Sequence, residues 1–128
     1  MRQISTTKAP AAIGPYCQAV VTDGFVFTSG QIPINPETGA IEGTTITEQA
    51  EQVMKNLQAV LEAAHSGFDY VIKTTCFLAD INDFAAFNEV YGQSFTSHPA
   101  RSCFAVKELP KGALVEVEVI AKQKPEEA

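Results

Sequence analysis

Arg101-Ser-Cys-Phe-Ala-Val106 and Leu114-Val-Glu-Val-Glu-Val-Ile-Ala121 are the stretches whose reading decides this fold. Val115, Val117 and Val119 alternate with Glu116 and Glu118, the period of a half-buried strand. In the segment before them, Phe104 and Val106 form an apolar row of their own. The short connection Leu109-Pro110-Lys111-Gly112 predicts antiparallel pairing of the two strands. If both apolar rows then lie on one core, the opposite rows coincide, and that second face carries Arg101 and Cys103 beside Glu116 and Glu118. Such a face is by itself an ordinary cross-strand salt bridge, worth about 0.2–1 kcal/mol. It gains interest because Pro99-Ala100 sets the backbone of Arg101, and because Cys103 is an uncommon surface residue. Both features also suit a face covered by another subunit.

Upstream, Phe84, Phe87, Tyr91 and Phe95 recur at spacings of three and four, which predicts a helix with Asn82 as its cap. Val71 to Ala79 is rich in β-branched and apolar residues and reads as a central strand. Before it, Thr45 and Glu48 fit a capping box, and Ile46, Ala50, Val53, Leu57, Val60, Leu61 and Ala64 keep helical spacing for about five turns. Gly67 is placed to end that helix in the left-handed conformation. Gly30 to Gly43, with Pro33 and Pro36, reads as loop. Tyr16–Val21 and Phe25–Ser29 flank Asp23-Gly24, a strong hairpin signal. The predicted order is β-β-α-β-α-β-β in one α+β domain over residues 1–128, with an N-terminal edge strand as an option and a frayed tail from Gln123.

Composition narrows the function. The chain has 128 residues, 45% of them hydrophobic and 19% charged, the profile of a single soluble domain. A net charge of -6 argues against nucleic-acid binding, which draws its strength from clustered lysine and arginine. No stretch approaches a membrane span or a secretory signal, and three widely spaced cysteines point to a reducing, cytoplasmic setting. Two histidines without ligand spacing give no expectation of a metal, and the glycines between Gly39 and Gly43 lack the length and lysine of a phosphate loop. Ser29-Gly30 and Tyr16 fall at predicted strand ends, where sites commonly lie. Asn88 flanks the apolar stripe of the second helix, where its amide could hold a neighbouring loop or reach a ligand.

Taken together, Ala12-Ile-Gly-Pro-Tyr16, Thr28-Ser-Gly-Gln-Ile-Pro33, Lys73-Thr-Thr, Asn82-Asp-Phe84, Pro99-Ala-Arg-Ser-Cys103, Leu109-Pro110 and Val115-Glu-Val-Glu-Val119 resemble the RidA family of reactive imine and enamine deaminases. The resemblance spans nearly the whole chain. It implies a chorismate-mutase-like sheet packed on one face by two helices, a homotrimer with sites at the subunit interfaces, and no cofactor. The implied reaction is hydrolysis of 2-iminopropanoate and 2-iminobutanoate to 2-oxo acids and ammonia. On matching positions, Arg101 would bind the substrate carboxylate with its planar fork, and Glu116 would position water and relay a proton. Tyr16, Ser29, Gly30, Asn88 and the backbone of Cys103 would line the pocket, the thiol itself not acting as nucleophile. Some relatives of this kind are described as ribonucleases, against which the acidic balance counts; a binding module for 2-oxo acids, or a holdase, is the other reading, and it has no use for Glu116.

Overall fold

The Thr45 hydroxyl accepts the backbone N–H of Glu48, and the Glu48 carboxylate accepts that of Thr45, so the expected capping box opens helix α1, Ile46–Ala63. In this computed structural model, which describes residues 1–126, the chain begins with three short strands: β1 (Arg2–Ile4), β2 (Ala19–Thr22) and β3 (Phe25–Thr28). Asp23 and Gly24 both take positive φ, 51° and 78°, as a two-residue hairpin turn between β2 and β3 requires. The N-terminal edge strand exists and pairs antiparallel with β2. The segment read as loop contains a small ribbon, β4 (Ile34–Asn35) and β5 (Ala40–Ile41), where Ile32 and Ile34 close over Ala113 in a minor core.

Helix α1 ends two residues earlier than expected. His65, at φ 58°, takes the left-handed position, and Ser66 N–H returns to the Leu61 carbonyl; Gly67 is extended. Strand β6 (Val71–Leu78), helix α2 (Phe84–Ser94), β7 (Ala100–Ala105) and β8 (Val115–Lys122) follow. Asp80, not Asn82, supplies the cap before α2, accepting the Asn82 N–H at the head of a short 3-10 turn. Gln123 and Lys124 are tied to Gly24, Ala64 and His65, against the expected fraying from Gln123; the last two residues of the chain lie outside those described.

The main sheet runs β1-β2-β3-β8-β6-β7, antiparallel except for β6 and β7. This corrects the pairing predicted for the last two strands: β6 lies between them. β6, α2 and β7 form a βαβ crossover, which explains the parallel pair. Register settles the faces. Arg101 and Cys103 stand opposite Thr74 and Cys76, which stand opposite Val119 and Val117. Arg101 and Cys103 therefore share the helix-covered face with the valines, and Glu116 and Glu118 point the other way, beside Phe77 and Thr75. The expectation of one shared polar face is overturned. Its error was to place Phe104 in the core: β7 is an edge strand, and Phe104 packs edge-on against Phe77 at 5.3 Å on the outer face.

Both helices cover one face, burying Val53, Leu57, Val60 and Leu61 of α1 and Phe87 of α2 against β3, β6 and β8. The outer face has no such cover: Phe25, Phe27 and Phe104 remain 37%, 40% and 45% exposed. Two buried amides of α1 hold the loops. Asn56 donates to the carbonyls of Ile32 and Ile34 at 3.1 and 3.0 Å. Gln49 donates to Gly43 and accepts the N–H of Leu114, at 2.9 and 2.8 Å. Replacing Asn56 by Leu removes both of these hydrogen bonds, leaving the Ile32 carbonyl only its bond from the Ile34 N–H, and is expected to lower stability by about 1–3 kcal/mol in urea unfolding.

Candidate active site

Arg101, second residue of β7, emerges at the sheet edge beneath α2. Its Nη1 donates to Asn88 Oδ1 at 2.7 Å, so Asn88, half-buried on α2, holds the guanidinium. The guanidinium carbon lies 4.7 Å from the centre of the Tyr91 ring and 5.4 Å from that of Phe84. Tyr91 is locked in turn: its hydroxyl bonds Thr74 Oγ1 at 2.8 Å and its ring stacks on Phe95 at 4.4 Å. One of the five guanidinium N–H donors is spent on Asn88, and the fork keeps others for a planar anion.

Cys103 stands beside Cys76 across β7 and β6. Burial pushes the Cys76 thiol up to about 12 and raises that of Cys103 as well, against the pull of Arg101. Neither is a thiolate at neutral pH, so the cluster carries a free guanidinium suited to an anion and no sulfur nucleophile.

A second cluster lies on the opposite face. Tyr16, Ser29, Gly30, Glu116 and Glu118 line a cavity of about 400 Å³, closed by Ile13, Ile32 and Pro110. Gln31 and Val117 exchange backbone hydrogen bonds of 2.8 and 3.1 Å, which lays Gly30 directly over Glu116. A Cβ at Gly30 would overlap the Glu116 carboxylate, so any larger residue there would push that carboxylate aside. Ser29 is held by its own hydroxyl, which donates to the Cys17 carbonyl at 2.6 Å, and the Tyr16 hydroxyl accepts the Ile13 N–H at 3.2 Å. Burial raises the Glu116 pKa above its ordinary value, and repulsion from Glu118 raises it further.

The structure thus gathers Arg101, Asn88 and Cys103 in one cluster and Tyr16, Ser29, Gly30 and Glu116 in another. It does not bring the two together within the chain, because the sheet lies between them. A separate cavity of about 470 Å³ beside the N-terminal segment has no charged side chain in its lining; Gln18 there is consumed in hydrogen bonds to Thr6, Ala9 and Pro10. Tyr91, Phe84 and Thr74, which seat Arg101, were not among the candidate site residues expected from the sequence. Their signal was present, in an aromatic stripe and in Lys73-Thr-Thr, but resembled core and strand. Replacing Glu118 by Gln removes one negative neighbour and is expected to lower the Glu116 pKa, as read from the pH titration of its labelled carboxyl carbon by NMR.

Residues 6–123 match the family described as Endoribonuclease L-PSP. The 2-iminobutanoate/2-iminopropanoate deaminase of Homo sapiens is 49% identical over 125 residues, covering 97% of this chain and 91% of its own. A RutC family protein of Synechocystis is 52% identical over 124 residues, covering 94% and 95%. Among solved structures, TdcF of E. coli with bound serine superposes at a TM-score of 0.92 with 44% identity, covering 97% of this chain and 100% of its own. Matched along almost its full length in sequence and in fold, the chain belongs to the Endoribonuclease L-PSP family, in which the Rid proteins and 2-imino acid deaminases are found.

Proposed function

We propose that this protein hydrolyses small, reactive 2-imino acids, 2-iminopropanoate and 2-iminobutanoate among them, to 2-oxo acids and ammonia, in the cytoplasm and without metal or cofactor. The observation that carries this is the Arg101 seat: a permanently charged fork, held by Asn88 and two aromatic rings, suits a substrate carboxylate. The deaminase relative supports the same reaction class, and the serine held by TdcF is itself a small amino acid with such a carboxylate.

The reaction needs two groups that one chain keeps apart. We infer a homotrimer in which the Arg101 edge of one subunit meets the Glu116 cavity of the next, with the uncovered outer face of Phe25, Phe27 and Phe104 buried between subunits. Arg101 then grips the carboxylate, with the Cys103 backbone beside it, and the imine carbon lies toward Glu116. The Glu116 carboxylate takes a proton from water as its oxygen bonds to the imine carbon. It returns that proton to nitrogen, and as the C–N bond breaks it takes up the remaining hydroxyl proton, leaving the 2-oxo acid and ammonia. An enamine such as 2-aminoacrylate enters the same route once protonated at carbon 3. An iminium carbon is already electrophilic, so holding substrate and water in attack geometry is the main demand.

The ribonuclease reading suggested by the family's description is weaker, since Glu116 and Glu118 in the cavity repel phosphate and no basic residue lines it. A 2-oxo-acid-binding module or holdase would keep Arg101 and lose nothing with Glu116.

The test couples a threonine dehydratase to this protein and follows imine loss. Wild type is expected to accelerate it, and Arg101→Ala and Glu116→Gln to lose about a hundredfold or more in kcat/KM. Because the Glu116 pKa is raised, the base is protonated as pH falls through that raised value, so the acid limb of the profile lies above ordinary carboxylate titration. Co-expressing the two inactive variants is expected to restore about one site in four, each rebuilt from one intact Arg101 and one intact Glu116 on adjacent subunits. No acceleration by wild type would move the binding module to first place.

A further inference from the structure

Glu118 raises the proton affinity of Glu116 but touches no reacting atom in the reaction above, and it lines the same cavity. It lies two residues further along β8 on the same face, paired in register with Thr75, and its side chain is exposed. Ile13, Ile32 and Pro110 form the apolar wall of the cavity, and no lysine, arginine or histidine contributes to the lining. On the same face of β6, Lys73 is paired with Ile120, one pleat beyond Glu118 as seen from Glu116. It opens onto a smaller neighbouring cavity that Glu118 shares.

These facts constrain what can follow the imine carbon into the cavity. If Arg101 is taken by the carboxylate next to the imine, a substrate side chain extends along the apolar wall and past Glu118. A neutral side chain gains contact with Ile13, Ile32 or Pro110, and each added methylene alters affinity modestly. A second carboxylate meets two negative groups in a partly desolvated space with no cation in the lining, and rejection by like charge is the stronger discriminator. Repulsion from Glu118, second to burial, also raises the Glu116 pKa.

We propose that Glu118 sets the charge selectivity of this site, admitting 2-imino acids with neutral side chains and excluding those with a second carboxylate, such as 2-iminosuccinate and 2-iminoglutarate. This rests on the imine-hydrolase reading given above. The substrate class is thus monocarboxylic: length and branching are tolerated, and an added negative charge is not.

The experiment generates imines in place from leucine, 2-aminobutanoate, aspartate and glutamate with amino-acid oxidases and measures their hydrolysis by wild type, Glu118→Gln and Glu118→Lys. Both replacements are at a surface-exposed position, and circular dichroism and thermal unfolding check that each variant folds. Wild type is expected to prefer the neutral imines by on the order of tenfold or more in kcat/KM. Glu118→Gln narrows that ratio, and Glu118→Lys narrows it further or inverts it. Equal rates on neutral and acidic imines, or a ratio unmoved by both variants, overturns the proposal while leaving imine hydrolysis intact. If no imine is hydrolysed, the functional reading falls instead. Calorimetric binding of 2-oxobutanoate and 2-oxoglutarate to the same three proteins then decides the charge selectivity by itself: preference for 2-oxobutanoate that Glu118→Lys reverses supports it, and equal affinity in all three overturns it.

Discussion

The position of β6 between β7 and β8 is the constraint on which the rest depends. It makes β7 an edge strand, and through the register it turns Arg101 toward the helices and Glu116 away from them. Had β7 and β8 paired directly, with their apolar rows matched, the two groups would share a face and a single chain could hold a complete site. As folded, the sheet is a partition. Each chain offers a cation suited to an anion on one side and a carboxylate in a cavity on the other, and closing the distance between them is the part we propose for subunit association. The uncovered aromatic residues of the outer face make that association physically reasonable, since soluble monomers rarely leave such a patch in water.

Both clusters are built by surrounding groups that fix a charge at modest energetic cost. Asn88 and the ring faces of Tyr91 and Phe84 replace part of the hydration of the Arg101 guanidinium, and Tyr91 is held in place by Thr74 and Phe95. Glu116 is treated in the opposite manner. Backbone at Gly30 presses over it, burial removes water, and Glu118 repels its charge, so its proton affinity rises. A permanent cation to hold and a carboxyl tuned toward proton exchange form a pair suited to hydrolysis at an activated carbon.

Helix α1 has a less visible part in this arrangement. Its apolar stripe builds the core, and its two buried amides, Asn56 and Gln49, carry the hydrogen bonds of loops that have little secondary structure of their own. Asn56 secures the carbonyls of Ile32 and Ile34, just beyond Gly30, while Gln49 secures the start of β8. The precision of the Gly30 approach to Glu116 therefore depends on polar groups on the far side of the sheet, where a loss of packing would be felt in the cavity.

Much was legible in the sequence because it is local. The capping box at Thr45 and Glu48, the helical spacing from Ile46 to Leu61, the Asp23-Gly24 turn and the valine alternation of β8 are set by neighbours within a few residues, and all became elements of the expected kind. The candidate residues were legible too, through the chemistry of an arginine after Pro99-Ala100, a glutamate in an alternating strand, and a family resemblance. What only the tertiary structure decided is non-local. Alternation along Arg101–Val106 yields two rows, and nothing in those residues says which row meets the core, because an edge strand buries neither row fully. Insertion of β6, closed over a crossover through α2, chose the row. The same step chose the aromatic seat of Arg101 and divided the candidate site between two faces, since strand order is set by contacts between segments far apart in the chain.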